Sequence, residues 1–154
     1  MQAAVPLRRA PGRVILLGCV KLKRASRAPA RDLYISPLWC GRRAYAEACG
    51  VPWLILSAEH GLVDPEQPLD PYDQALAQLP AAARRAWGAG AGVVAELVDR
   101  YGPLDGITFE VHAGEAYRAA IERGIGDAGG QLDVPLRGLP LGGQLSWYGA
   151  HRRA

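Results

Sequence analysis

An α/β fold is what this sequence predicts: a single three-layer domain on a mostly parallel sheet of about four strands. Short aliphatic runs of strand length alternate along the chain with segments of helical periodicity. Three of those runs end in a cluster of polar residues, the place where an open α/β sheet keeps its ligand crevice. The length, 154 residues, suits one domain with its own core.

Residues 1–12 carry Pro6, Pro11 and Gly12 and read as a flexible leader to a domain spanning 13–154. The run Arg13-Val14-Ile15-Leu16-Leu17-Gly18 is the first buried strand. Residues 20–37, basic and interrupted by Pro29 and Pro37, read as a long loop. Residues 38–49 read as a helix. Leu38, Tyr45, Ala48 and Cys49 share one face of it, Arg42, Arg43 and Glu47 lie elsewhere, and Gly50 stops it. Residues 52–57 make the second strand. Pro65, Pro68 and Pro71 then argue for an irregular loop over 61–73. A helix is expected over 81–101, with Gly88, Gly90 and Gly92 weakening its middle by about 1 kcal/mol each. Residues 106–112 form the third strand and 114–124 a helix capped by Gly124. Residues 131–135 supply a fourth strand, and the tail closes with a short helix.

Apolar residues make up 49% of the chain and charged ones 21%, an ordinary globular balance. The net charge of +3 permits an anionic partner without demanding nucleic acid. Three cysteines without paired spacing make neither a disulfide framework nor a zinc or iron–sulfur motif. No signal-like or membrane-length apolar run is present, so a cytoplasmic protein with reduced thiols and no membrane partner is expected. No metal site and no cofactor is expected either, because H-E-x-x-H, P-loop and G-x-G-x-x-G spacings are missing. The oligomeric state is open.

The candidate chemistry sits at the three strand ends. After the first strand come Gly18, Cys19, Lys21 and Lys23. Nearby cations favour a thiolate, and the turn's N–H groups with Lys21 can hold an anion. Cys40 and Cys49 read as core. After the second strand, Ser57-Ala58-Glu59-His60-Gly61 offers an acid and a base, of which only one faces a given ligand if the chain stays extended. In the loop that follows, Tyr72 suits stacking on a base, while Asp70 suits a hydrogen bond from its edge. After the third strand, His112 and Gly114 precede a helix N-terminus, a natural anion site, and Tyr117 is expected in the core.

The pattern Leu17-Gly18-Cys19-x-Lys21, Asp32-Leu33-Tyr34-x-Ser36-x-Leu38, Leu56-Ser57-Ala58-x-His60-Gly61-Leu62 and Pro71-Tyr72-Asp73 resembles a bacterial and phage domain family without assigned function. The ending Val134-Pro135-Leu136 with Gly143-Gln144-Leu145-x-Trp147 is similar to it as well. The middle segment is more distantly similar to the YaaA peroxide-stress proteins, from which it differs at Glu59-His60. It also resembles an α/β module found beside tRNA-guanine transglycosylase-like enzymes. These resemblances imply a nucleobase or nucleic-acid ligand.

The expectation that follows is an enzyme acting on a nucleobase, nucleoside or nucleotide, through N-glycosidic cleavage or exchange or base modification. His60, Glu59 and Cys19 are the candidate catalytic groups, and Gly18, Lys21, Tyr34, Ser36, Ser57, Gly61, Asp70, Tyr72, His112 and Gly114 the candidate ligand-binding ones. One alternative is a DNA- or RNA-binding module using Arg24, Arg27, Arg42 and Arg43. Another is a thiol enzyme centred on Cys19.

Overall fold

The computed structural model describes residues 11–88 and 92–151. Strand β1 (Arg13–Gly18) is the centre of the sheet, and its alternation decides the layering. Val14 and Leu16 point to one face while Ile15 and Leu17 point to the other, all fully buried. A strand buried on both faces belongs in a parallel sheet with helices on either side.

After β1 the chain forms a two-residue strand β2 (Ala28–Pro29) and one turn of helix α1 (Ala30–Leu33). Helix α2 (Pro37–Cys49) follows. It starts where Ser36 Oγ accepts the Trp39 N–H at 3.1 Å, with proline at the first position. It stops at Gly50, whose φ of 69° suits glycine. The next strands are β3 (Trp53–Ser57), β4 (Gly61–Val63) and β5 (Pro68–Leu69). Helices α3 (Ala81–Gly88) and α4 (Val93–Tyr101) lead to strand β6 (Thr108–His112). Helix α5 (Glu115–Asp127), strand β7 (Gln131–Asp133) and helix α6 (Leu141–Ala150) complete the order.

The main sheet runs β4-β3-β1-β6-β7, and β2 pairs with β5 in a small separate ribbon. All neighbours in the main sheet are parallel except the edge pair β3–β4. One core lies under α4 and α5, where Leu16, Leu56 and Phe109 meet Leu97, Ile121 and Ile125. The other lies under α1 and α2, where Ile15, Leu17 and Ile55 meet Leu33, Trp39 and Ala46. The α/β domain with a mostly parallel sheet is therefore as expected, with five strands in the main sheet. No described helix is long and apolar enough to cross a membrane.

Several local expectations need correction. Residues 20–37 hold β2 and α1, and 61–73 hold β4 and β5. The prolines sit where they cost no ladder bond, Pro29 and Pro68 forming opposite partners in the two-strand ribbon. The helix expected over 81–101 is two helices, and Gly90 of its weakened middle lies outside the described residues. Gly124 does not end α5, which runs on to Asp127; the glycine instead sits where α5 meets Val94, which a Cβ there would crowd at 2.8 Å. In α2 the buried face is Trp39, Arg42 and Ala46, while Ala48 and Cys40 are exposed. The hydrophobic pattern misled because a buried arginine occupies a core-facing position. Residues 1–10 of the expected leader are outside the described residues.

Candidate functional site

Consecutive parallel strands leave β1 in opposite directions: β3 lies on one side and β6 on the other. The crevice of such a sheet opens at the carboxyl ends, where the order switches. Gly18 and His112 end the two strands there, and Ala113, the residue after β6, packs directly on Gly18. A Cβ on Gly18 would sit 2.7 Å from the Ala113 Cβ and 3.0 Å from its Cα.

On one side of that contact is a cluster of phenols. Cys19 is held in line by its N–H to Leu56 O at 2.9 Å, and its Sγ lies 3.1 Å from the Tyr117 hydroxyl. Tyr117 thus packs against the core, as expected, while its hydroxyl reaches Cys19. Trp87 meets Tyr117 edge-on at 5.4 Å and donates its indole N–H to Ser57 O at 2.8 Å. The fully buried Ser57 hydroxyl donates to Tyr72 Oη at 2.8 Å and accepts the His60 N–H at 3.1 Å. Tyr72 and Tyr34 share a hydrogen bond of 2.5 Å between their hydroxyls. The Lys23 ammonium stands 4.4 Å from the Tyr72 ring centre, within cation–π range. Burial raises the pKa of Tyr34, Tyr72 and Tyr117, so these hydroxyls remain protonated donors. Burial lowers the pKa of Lys23, against the pull of Cys19, Asp73 and Glu59.

Glu59 and His60 occupy the three-residue turn of the β3–β4 hairpin, closed by Gly61 at a φ of 74°. Both are exposed, with His60 Nε2 lying 3.5 Å from Glu59 Oε2. The expectation that they point apart fails because a turn, not an extended strand, carries them. With Asp70, Tyr72 and Arg27 they line an open groove of about 600 Å³. His60 meets Tyr72 edge-on at 5.3 Å. Asp70 in this groove is paired to Arg27 at 3.0 Å.

On the other side of the Gly18–Ala113 contact lies a buried polar chain. Arg13 donates through Nε to Glu110 Oε1 at 3.1 Å and through Nη2 to Tyr45 Oη at 2.9 Å. Glu110 Oε2 lies 2.7 Å from His112 Nε2, and His112 Nδ1 lies 2.6 Å from the Tyr148 hydroxyl. Burial pushes Glu110 up, but hydrogen bonds from His112, Tyr45 and Arg13 outweigh it and hold the carboxyl down at about 2. An ionised carboxylate only accepts, so His112 carries its hydrogen on Nε2 and accepts at Nδ1 from Tyr148. Burial likewise pulls His112 below its ordinary range and keeps it neutral, and pushes Tyr148 up to about 12.

The remaining candidates are placed as follows. Lys21 is exposed, and its carbonyl accepts from Lys23. Ser36 caps α2, so its hydroxyl is occupied by the backbone. Gly114 is the N-cap residue of α5. Arg42 is 5% exposed and donates to Gly18 O at 2.9 Å, which corrects its expected place on a surface. Arg43 is paired with Asp32 and Glu47, Arg27 with Asp70, and Arg24 Nε with the Asp32 carbonyl. Sequence reasoning missed Arg13, Glu110 and Tyr148. Glu110 and His112 do carry a signal: two polar residues at period two in an otherwise apolar strand share one face.

No curated protein and no solved structure matches the chain. A family model described as a family of unknown function, DUF6884, matches residues 14–150. With nearly its whole length covered, the chain belongs to that family.

Proposed function

We propose that the protein is an enzyme acting on a nucleobase, nucleoside or nucleotide, cleaving or exchanging its N-glycosidic bond or modifying the base. The observation that carries this reading is the groove of about 600 Å³ lined by Glu59, His60, Asp70 and Tyr72. It has the volume of a small-molecule site and brings an imidazole, the carboxylates of Glu59, Asp70 and Asp73, and an aromatic side chain together. The resemblance read in the middle segment, to YaaA proteins and to the module beside transglycosylase-like enzymes, implies the same ligand class.

The chemistry follows from the groups present. Tyr72 offers a ring face to a base, and its hydroxyl is fixed from behind by Ser57 and Tyr34. Asp70 accepts a hydrogen bond from the base edge or orients a water. His60, steadied by Glu59, gives a proton to the departing base nitrogen or takes one from the attacking oxygen. In hydrolysis the water oxygen bonds to the sugar carbon, the carbon–nitrogen bond breaks, and the base leaves with a proton. Cys19 stands beside Tyr117 as the alternative nucleophile for exchange.

A nucleic-acid-binding module is the weaker reading. Three of its four arginines already bond carboxylates or a carbonyl, and the fourth is buried.

The test is a thermal-shift screen against bases, nucleosides and nucleotides, followed by turnover of whichever ligand stabilises the fold. His60→Ala should lower turnover by about a hundredfold with folding intact. A loss below about threefold would sink the acid–base assignment.

A further inference from the structure

The cavity behind β6 has no part in the chemistry above. It measures about 300 Å³ and is lined by Arg42, His112, Gly114, Arg118 and Tyr148 with apolar walls such as Val111 and Leu136. Four features of it point to one kind of ligand.

Arg42 comes first. Its side chain is almost wholly buried; Nη1 donates to Gly18 O, and the guanidinium also bonds the Tyr148 hydroxyl. Its Nε is buried without an acceptor among the described residues. A buried guanidinium with an unmet donor is costly unless something pairs with it. The neighbouring carboxylate, Glu110, is already engaged by Arg13 and His112.

The second feature is α5, which runs thirteen residues from Glu115 and begins at the cavity. Gly114 has no side chain to cap it, and among the described residues no side chain accepts from the N–H groups of Glu115 and Ala116. A helix start of this kind, with its dipole, attracts an anion.

The third is Arg118, one turn along α5. It spends Nε on Ala113 O at 3.2 Å, and among the described residues no carboxylate lies within ion-pair distance of it. Glu115 is the one acidic residue at the rim. Two arginines, an uncapped helix start and one acid leave the cavity cationic.

The fourth is Tyr148, whose raised pKa keeps its hydroxyl protonated, and which donates to neutral His112. The floor of the cavity thus adds no negative charge.

We propose that this cavity is a binding site for a phosphoryl group, held by Arg42, Arg118 and the N-terminal turn of α5. Planar guanidinium donors and helix N–H groups match the several acceptor oxygens of a phosphate. Ala113 lines the cavity and also packs on Gly18, the residue before Cys19.

Inorganic phosphate is the probe, titrated calorimetrically into the full chain. The wild type should bind it saturably. Arg118→Gln should weaken binding by about tenfold, with an unchanged melting temperature in phosphate-free buffer. Arg42→Met should abolish it, and Arg118→Gln keeps the inference testable should Arg42→Met fail to fold. No saturable binding by the wild type, or undiminished binding by Arg118→Gln, overturns the site. Tyr72→Ala separates the two readings. It should bind phosphate like the wild type while losing any nucleoside stabilisation. Phosphate binding with no response to any nucleoside would keep this cavity and remove the groove function.

Discussion

Ser57 is the joint of the phenol cluster, and replacing it by alanine tests whether the cluster is a connected structure. Its hydroxyl is fully buried, donates to Tyr72 at 2.8 Å and accepts from the His60 N–H at 3.1 Å. Ser57→Ala leaves both partners short by one bond. The His60 amide, on the exposed hairpin turn, can turn to water, so its loss is small. The Tyr72 hydroxyl is part-buried and keeps only Tyr34, so it bears most of the penalty. A net hydrogen bond is worth about 1 kcal/mol, and an unmet buried partner about 1–3 kcal/mol. The expected loss is about 2 kcal/mol. Tyr72→Phe removes the other end of the same bond. In a double-mutant cycle read by urea denaturation, the coupling should reach about 1 kcal/mol, because the second substitution costs less once the first is made. A coupling within about 0.3 kcal/mol of zero would refute the argument. It would mean that the hydroxyl pair is solvated and the groove wall is not fixed from behind.

Other expectations follow from single contacts. The Glu110 carboxyl should titrate near 2 when followed by carbon NMR, against an ordinary 4.5. A depressed carboxylate stabilises the fold above 4.5 and loses that contribution as pH falls through 2. The contribution is at most on the order of 3 kcal/mol, because the 38% exposure of Arg13 lets solvent screen part of it. A midpoint at or above 4.5 would contradict the buried chain. Gly18→Ala should destabilise by about 1–3 kcal/mol, since its Cβ would press on Ala113; an unchanged melting temperature would deny that contact. Iodoacetamide should label the exposed Cys40 before the half-buried Cys19 and Cys49, as peptide mass spectrometry can read.

Most of the fold was legible because its central strands are short and mostly apolar. Leu54, Ile55 and Leu56, a run of strand length between breakers, read as a buried strand, and residues 38–49, 81–101 and 114–124 had helical spacing. What escaped was set by contacts distant in the chain. The edge strand β4 has three residues, too few for any period to show, and exists because Leu62 and Val63 pair with β3. Its Leu62 N–H is further held by Glu96 at 2.9 Å, thirty-four positions away. Arg42 looked like a surface cation because nothing near it in sequence reveals that Tyr148 and Gly18 will enclose it.

The same division explains which parts of the site were found. Groups at or just past the end of a strand, such as Cys19, Ser57 and His112, were recognisable because the sheet alone decides where a strand ends. Tyr34 and Tyr72 were candidates by residue type, yet their meeting depends on the β2–β5 ribbon, in which Ala28 pairs with Leu69. That ribbon brings two proline-broken segments together and carries the tyrosines with it. The ribbon is therefore as much a part of the groove as the residues lining it. Gly18 plays the corresponding role in the main sheet: its missing side chain lets Ala113 pack directly on it, so that Arg42 can bond to its carbonyl from one side while Cys19 meets Tyr117 on the other. A bulkier residue there would push on both the phenol cluster and the arginine cavity, and loss of phosphate binding together with nucleoside stabilisation in Gly18→Ala is what that shared support implies.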